Sequence, residues 1–419
     1  MKVIVLGAGV VGTATAYFLA RNGVEVEVIE RQPGAALETS FGNGGVIHAS
    51  EVEPWSQPGM PLKILQWLGK EDAPLLVRYG AIPKMWRWGM KFIANCTEER
   101  FRRNTLVNLR LALHSLAVLQ KIRAETGIEY DVRTQGVLKI YTDPKSLKAG
   151  LATAKFLSGS GLTFAEADVA ECVRKIPALK ATASTLAGGI YFPRDEVGDC
   201  HKFTTGLARY CEDLGVAFNY GTTAHGFERN GGGIVSVATS RGTMQADKFV
   251  VALGSFTPLI LRAVGIEAPI YPVKGVTITV PGQAWPERPQ MPVIDDGRIF
   301  GFVPLGDRMR VSGSAEVAGY NTTPSPARCQ AIINNVISVF PDFAKCVDPA
   351  TAKYWAGVRP VTPTGTPILG PSPIANLFIA AGHGHLGWTM GCGSGEVVAA
   401  LVAGRPPAID VTGLGLADH

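Results

Sequence analysis

The sequence predicts an α/β fold with a second, α+β unit, and three observations predict it. First, a short apolar run over residues 2–6 leads into Gly7-Ala8-Gly9-Val10-Val11-Gly12, and an apolar helical stretch over 13–22 follows, closed by Gly23. Second, an alternating strand over 24–29 ends on Glu30. Third, two distant apolar strands end in small-residue turns, at Ala252-Leu253-Gly254-Ser255 and at Gly382-His383-Gly384-His385-Leu386-Gly387. Strand, glycine turn, helix, strand and acid, in that order, describe a Rossmann-like βαβ unit. The later turns predict that its sheet is completed by discontinuous segments.

Each part of the opening motif has a physical task. Gly7 permits the tight turn, Gly9 lets backbone approach a pyrophosphate, and Gly12 allows helix and strand to pack closely. The N-terminus of the helix that follows points N–H groups and the positive end of the helix dipole at the phosphates. Glu30, followed by Arg31, can accept hydrogen bonds from a ribose diol, and its charge disfavours a 2′-phosphate. The plain alternative is an ordinary βαβ unit with a glycine-rich turn. A signal peptide is excluded, because glycines break the apolar stretch, only Lys2 precedes it, and no small-residue cleavage site follows.

Composition narrows the class. The chain has 419 residues, 46% of them hydrophobic and 18% charged, enough for two domains with a large core. The formal net charge of +5 is spread along the chain, so nucleic-acid binding is not indicated. The seven cysteines, Cys96, Cys172, Cys200, Cys211, Cys329, Cys346 and Cys392, form no C-x-x-C pair and suit a reducing compartment. No metal-ligand spacing appears among Cys and His, and no stretch reaches the roughly 18 apolar residues of a membrane span.

Further along, Ser40-Phe41-Gly42-Asn43-Gly44-Gly45 is a loop suited to close backbone approach to a ligand. Residues 51–96 hold four of the seven tryptophans, Trp55, Trp67, Trp86 and Trp88, interleaved with Lys63, Lys70, Arg78, Lys84, Arg87 and Lys91. They read either as short helices packed over the second domain or as an amphipathic surface for a membrane or lipophilic acceptor. Thr97 and Gly127 bound a long helix with a leucine stripe, and His114 on its flank reads as structural. Strands are expected over 130–134, 136–142, 216–220, 246–252, 276–280, 299–303 and 376–381. A hairpin is expected over 225–241, and helices over 200–214, 325–340 and 391–404.

Recurrence of ligand-edge turns at 7–12, 252–255 and 382–391 favours an extended FAD over NAD. A helix N-terminus near a flavin ring would stabilise negative charge there. The chain resembles the FAD-dependent amine-oxidising superfamily of D-amino acid oxidase, glycine oxidase and sarcosine oxidase, and within it the bacterial D-amino acid dehydrogenases of small-subunit type. The resemblance rests on the opening glycine motif, on 40–45, on Pro54-Trp55 with Pro58-Gly59, and on Tyr271-Pro272-Val273-Lys274-Gly275. It continues in Gly357-Val358-Arg359-Pro360 with Thr362-Pro363, and in the segment from Gly382 to Gly395, which contains Leu386-Gly387-Trp388-Thr389-Met390.

This resemblance implies a Rossmann-like FAD-binding domain built from 1–50, 185–262 and 351–419, and a mixed-sheet substrate domain from 51–184 and 263–350. It implies oxidative deamination of a D-amino acid to a 2-oxo acid and ammonia. The electrons would pass to a quinone of the respiratory chain, with the protein in the bacterial cytoplasm and in peripheral contact with the cytoplasmic face of the inner membrane. Secondary amines such as sarcosine, proline or D-hydroxyproline are the alternative substrates.

Residues expected against the cofactor are Gly7, Gly9, Val10, Val11, Gly12, Glu30, Arg31, Ser40, Asn43, Gly44, Gly45, Gly254, Gly382, Gly384, Leu386, Gly387, Trp388 and Thr389. His383 is expected to contribute backbone contacts and not acid–base chemistry. Arg359, on a loop stiffened by Pro360 and Thr362-Pro363, is expected to anchor the substrate carboxylate through its planar fork of donors. Tyr271 is read as a further donor to that carboxylate, Lys274 as a cation near the flavin, and His48 and Trp55 as pocket walls.

Overall fold

Lys2–Leu6 lies in the interior of a six-stranded sheet. In the computed structural model, which describes residues 1–70, 73 and 75–419, it pairs in parallel with Glu25–Ile29 on one side and Lys248–Val251 on the other. Ala217–Asn219 extends the sheet beyond Glu25–Ile29, and Leu377–Ala381 extends it beyond Lys248–Val251, both in parallel. Ile368–Pro371 closes the latter edge in antiparallel. Parallel strands covered on both faces read as near-continuous apolar runs, and KVIVL, KFVV and LFIAA have that character.

Helix Val10–Arg21 begins three residues before the expected start, inside the glycine motif, because Gly9 adopts extended geometry and serves as its N-cap. A Cβ on Gly12 would lie 1.9 Å from the Gly7 carbonyl oxygen, so only glycine allows the helix to leave the turn so sharply. The small-residue helix Gly387–Val402 crosses both this helix and the long helix Glu98–Thr126. A Cβ on Gly395 would lie 2.6 Å from the Ala14 carbonyl carbon, and one on Gly393 would lie 2.8 Å from Ser115 Cα. Ser115 Oγ accepts from Gly393 N at 3.0 Å, and His114 Nε2 meets Glu396 Oε2 at 2.6 Å. His114 therefore joins two helices, as the structural reading requires. The long helix has its expected ends: Thr97 Oγ1 accepts from Arg100 N, and Gly127 closes it at φ 63°.

A nine-stranded sheet forms the second layer, in the order Lys353–Val361, Tyr271–Pro281, Arg308–Val317, Phe300–Leu305, Val293–Asp295, Val137–Tyr141, Gly188–Phe192 and Ala165–Ala167, with Leu75–Val77 paired to Arg308–Val317. The strands Gly188–Phe192 and Lys353–Val361 pair here and not in the six-stranded sheet, although they fall in the segments 185–262 and 351–419. Arg359 is thus on a strand and not on a loop. Pro360 is accommodated opposite Pro272 where the strand reaches its end.

Other elements also differ from expectation. Residues 130–134 make only the Arg133–Val197 bridge, because Tyr130 turns inward against Phe203 and Trp388. The expected strand 276–280 runs over Tyr271–Pro281, and the hairpin gains a third strand, Gly242–Gln245. Arg308–Val317 carried no strand expectation, because its Arg, Ser and Gly content masks the alternation.

The described residues of the tryptophan-rich segment include helices Met60–Trp67 and Ile82–Asn95. Their inner side packs as expected. Trp88 Nε1 donates to the Val361 carbonyl at 2.9 Å, and its ring lies 5.1 Å from Phe92 and 5.6 Å from Tyr271. Their outer side is also apolar: Leu62, Leu65, Trp86, Met90 and Ile93 are all exposed.

The crossing at Gly395 has little room for adaptation, since the opposing atoms are backbone. Replacing Gly395 with valine overpacks this contact and should cost about 1–3 kcal/mol, read as a lowered Tm in thermal unfolding of the purified protein.

Candidate active site

A cavity of about 750 Å³ runs from the Gly7–Gly12 turn, past the carboxyl ends of Lys2–Leu6 and Lys248–Val251, to the face of the nine-stranded sheet. Ligands of open α/β sheets bind outside the carboxyl ends of the strands. The walls come from all three remote turns: Gly7, Gly9 and Val10 from the first, Leu253 and Gly254 from the second, and His383, Gly384 and Gly387 from the third.

The glycine motif divides its labour as expected. Gly7 has φ 102°, and a Cβ there would lie 2.7 Å from the Ala252 carbonyl oxygen. Gly9 faces room: its Cβ would approach only Ser40 Oγ, at 3.5 Å. As N-cap, Gly9 supplies no side-chain acceptor, and the first turn of the helix carries no acid. This open positive pole fits a diphosphate. Glu30, 8% exposed, lines the cavity while its oxygens accept from Ala8 N at 2.8 Å and Gln32 N at 2.9 Å. Burial pushes its carboxyl above the usual range, opposed by those two N–H donors. Arg31 also lines the cavity, paired with Glu38 and lying 3.9 Å over the Phe256 ring.

The glycine-rich loop is pinned from below. Ser40 Oγ accepts from Val10 N at 3.1 Å, Thr277 Oγ1 donates to Gly42 O at 3.0 Å, and Arg310 donates to Asn43 O at 2.8 Å. Asn43 Oδ1 accepts from Gly45 N, closing the turn on itself. A Cβ on Gly42 or Gly357 would overlap the Trp355 ring, so the indole packs against both backbones. Trp355 lines the cavity and had no sequence signal beyond its residue type.

Of the expected cofactor residues, Gly12, Gly45, Gly382, Leu386 and Thr389 do not line the cavity. They shape its walls instead. A Cβ on Gly382 would lie 2.7 Å from Thr362 Cγ2, and Thr389 Oγ1 accepts from His48 N at 3.2 Å. Trp388 touches the cavity but is 2% exposed and donates to Gly198 O, so it is mainly core. His383 is buried, bonded to Ser394 Oγ at 2.9 Å, and burial lowers its pKa to about 4.

Two substrate-side expectations need correction. Lys274 does not line the cavity; it is 3% exposed, and its Nζ lies 3.0 Å from Glu316 Oε2. Tyr271 lies outside the cavity too, packed with Val77, Val273, Val317 and Trp88. Alternation sends Lys274, next to Gly275, to the opposite face, whereas Tyr271 shares the parity of Gly275 and Thr277 but lies further along the strand, beyond the end of the cavity, against Val77, Val317 and Trp88.

Arg359 behaves differently. Its guanidinium lines the cavity, 5.8 Å from the Trp55 ring centroid, and donates only to backbone, to Ser314 O at 3.1 Å and Lys274 O at 3.5 Å. No carboxylate of the described residues pairs with it, and burial lowers its pKa to about 10. Gly275 makes this position available, since a Cβ there would lie 2.3 Å from Arg359 Cζ. Ser314, at φ 69°, holds a conformation uncommon for a non-glycine residue and directs its carbonyl at the guanidinium.

His48 lines the cavity as expected. Its Nδ1 is buried without a hydrogen-bond partner among the described residues, and burial, with His385 and Lys139 nearby, lowers its pKa to about 3. It is neutral at physiological pH and offers a ring nitrogen to a ligand. Trp55 stacks on His385 at 5.4 Å. Glu51 and Asp296, which carried no expectation, line the same end of the cavity, and both contact Lys139. A lysine inside the apolar strand VLKIY was the available signal.

Placing a carboxylate on the open helix pole should repel a diphosphate. Gly9→Asp is therefore expected to fold but to purify with less than a tenth of the wild-type dinucleotide content, measured after denaturation by absorbance of the released cofactor.

A family model described as FAD dependent oxidoreductase (DAO) matches residues 2–401. The D-amino acid dehydrogenase of Paramagnetospirillum magneticum is 46% identical over 417 residues, 99% of this chain and 98% of that protein. The D-amino acid dehydrogenase of Sinorhizobium medicae is 44% identical over 419 residues, the whole of both chains. Among solved structures, glycine oxidase from Geobacillus kaustophilus superposes with a TM-score of 0.79 at 22% identity, covering 100% of this chain and 99% of that one. L-Proline dehydrogenase from P. horikoshii superposes at 0.80 with 19% identity, covering 99% and 96%. The glycine pole, the three remote turns and the full-length family match agree, and the chain belongs to the DAO family of FAD-dependent oxidoreductases.

Proposed function

We propose that this enzyme oxidises D-amino acids to the imino acids that water converts to 2-oxo acids and ammonia, with electrons leaving to a quinone. The carrying observation is the Arg359 guanidinium, which lacks a carboxylate partner at the end of a dinucleotide cavity. The names of relatives 42–46% identical over essentially full length support the substrate class.

Bound FAD supplies the acceptor for the hydride from the substrate Cα. The residues of the chain supply position. Gly9 and the helix start hold the diphosphate, and Glu30 meets the ribose. Arg359 binds the substrate carboxylate through a planar pair of N–H donors, while Trp55 and Trp355 wall the space around it and exclude water.

The acceptor side rests on helices Met60–Trp67 and Ile82–Asn95. Leu65 is 69% and Trp86 59% exposed, and Lys63, Lys84, Arg87 and Lys91 are exposed beside them. Apolar side chains ringed by cations are the chemistry of a helix lying in an anionic membrane surface. Met60, Trp67, Leu75 and Phe92, from the same segment, line the cavity within. This supports an apolar passage from the lipid face towards the flavin site. No helix among the described residues is long and apolar enough to cross a membrane.

Arg359→Ala is expected to raise KM for a D-amino acid about 100-fold or more, equivalent to roughly 2.7 kcal/mol, with FAD content unchanged. Gly275→Ala should shift KM in the same direction by displacing the guanidinium. Near-normal KM in both variants removes the assignment. For the acceptor face, the double variant Leu65→Glu/Trp86→Glu should lose flotation with anionic vesicles and reduce a vesicle-embedded quinone at least tenfold more slowly. Its reduction of a water-soluble dye should be unaltered.

A further inference from the structure

The substrate end of the cavity carries two poles. One is the Arg359 guanidinium; the other is a cluster of Glu51, Asp296 and Lys139. Glu51 follows His48 through the short turn Ala49–Glu51, which Asp195 fixes by accepting from Ala49 N at 3.0 Å and Ser50 Oγ at 2.5 Å. Lys139 and Asp296 come together because Val293–Asp295 pairs in parallel with Val137–Tyr141, setting Ile294 opposite Lys139. Lys139 Nζ lies 2.6 Å from Glu51 Oε1 and also contacts Asp296 Oδ2. Glu51 Oε2 has no hydrogen bond among the described residues, and His385 Nε2 lies 3.1 Å from the Glu51 carbonyl.

The cluster holds two carboxylates and one ammonium, and the other titratable groups around it do not restore balance. Glu53 adds a further carboxylate. His48 and His385 are neutral, with pKa values lowered to about 3 and about 4 by burial. Tyr141, near Lys139, is pushed up to about 12 by burial. Carboxylates outnumber the ammonium three to one, and in its ionised form this cluster beside the cavity is complementary to a cation. A zwitterionic amino acid brings one, and it cannot lose hydride from Cα until its ammonium has lost a proton.

We propose that the Glu51 carboxylate receives the proton from the substrate's α-ammonium group, completing with Arg359 a two-pole site for the zwitterion. This rests on the amino-acid reading above and adds to it a proton acceptor. In balance, one N–H bond breaks and one O–H bond forms on Glu51, giving the neutral amine. The Cα hydrogen then leaves with its electron pair to FAD, yielding the protonated imine. The Glu51 proton passes to bulk water, towards which the cluster opens: the Asp296 side chain is 56% exposed, against 19% for Glu51 and 12% for Lys139. Lys139 holds Glu51 in place. Burial, and then the charge of Asp296, push the Glu51 carboxyl well above the usual range, as a proton acceptor for an ammonium requires.

The test is anaerobic rapid mixing of holoenzyme with D-alanine from pH 6.5 to 10, following flavin bleaching in wild type and Glu51→Gln. The expected result is a loss of about 100-fold or more at pH 7 that shrinks to a few-fold by pH 10, where the free amine arrives neutral. A loss constant across pH, or no loss, overturns the proposal. If Glu51→Gln does not yield holoenzyme, Asp296→Asn serves, since that side chain is mostly exposed. Its acidic limb of kcat/KM should move to lower pH, and an unmoved limb overturns the proposal.

A second readout needs no turnover. 2-Aminoisobutyrate is a zwitterion without a Cα–H bond. Calorimetry at pH 7 should show its Kd at least tenfold weaker in Glu51→Gln than in wild type, because the transferred proton stays within the complex and only the anionic pole is lost. Equal affinity in both overturns the proposal. If D-alanine fails to bleach the wild type while this difference persists, the amino-acid oxidation reading fails and the two-pole site stands.

Discussion

A guanidinium removed from water without a counter-charge costs several kcal/mol, and the substrate end of this protein is organised around one such group. Two cations lie on neighbouring strands, and they are treated in opposite ways. Lys274 is neutralised by Glu316 and withdrawn into the sheet. Among the described residues Arg359 is given only two backbone carbonyls, at the expense of a non-glycine residue at φ 69° and a glycine at 275 where any Cβ would displace the guanidinium. Backbone carbonyls orient a guanidinium but do not cancel its charge. In the proposed function the missing anion is the substrate carboxylate, and on that reading the remaining features of the site present it to a flavin.

The two sheets divide the work. The six-stranded sheet ends its central strands at one edge, where three turns from the start, the middle and the end of the chain meet. The first turn is held close to the second by Gly7 and tightened by Gly12, where the neighbouring atoms are backbone carbonyls, so the geometry there tolerates little drift. The nine-stranded sheet supplies the opposing wall through Gly275, Thr277, Ser312, Ser314, Gly357 and Arg359, all from three adjacent strands. Arg310 and Thr277 reach across to hold the loop at 42–43, so the two layers are coupled at the ligand itself.

Charge is distributed along the cavity in a legible order. The helix pole favours phosphates, Glu30 a diol, Arg359 a carboxylate, and Glu51 with Asp296 a cation. The histidines between them, His48, His383 and His385, are all kept neutral by burial. They therefore add hydrogen-bonding shape without disturbing that order.

Local chemistry was readable in the sequence wherever it is contiguous. The glycine motif with its flanking strands, the capped helix from Thr97 to Gly127, and the turns at 252–255 and 382–387 follow from residue types at short spacing. Arg359, which lines the cavity, could be singled out because its motif is compact. Which side chains share a cavity was not readable, because that depends on pairings between residues far apart in the chain. Strand alternation took Lys274 to the face opposite Gly275 and Thr277, and packing against Val77, Val317 and Trp88 placed Tyr271 beyond the end of the cavity. Parallel pairing across more than a hundred residues brought Lys139 to Asp296, and a short turn anchored on Asp195 brought Glu51 to both. A sequence by itself determines which residues are able to bind phosphate or carboxylate. Only the folded sheet decides which charges face each other across a cavity, because a single step in register moves a side chain to the other face.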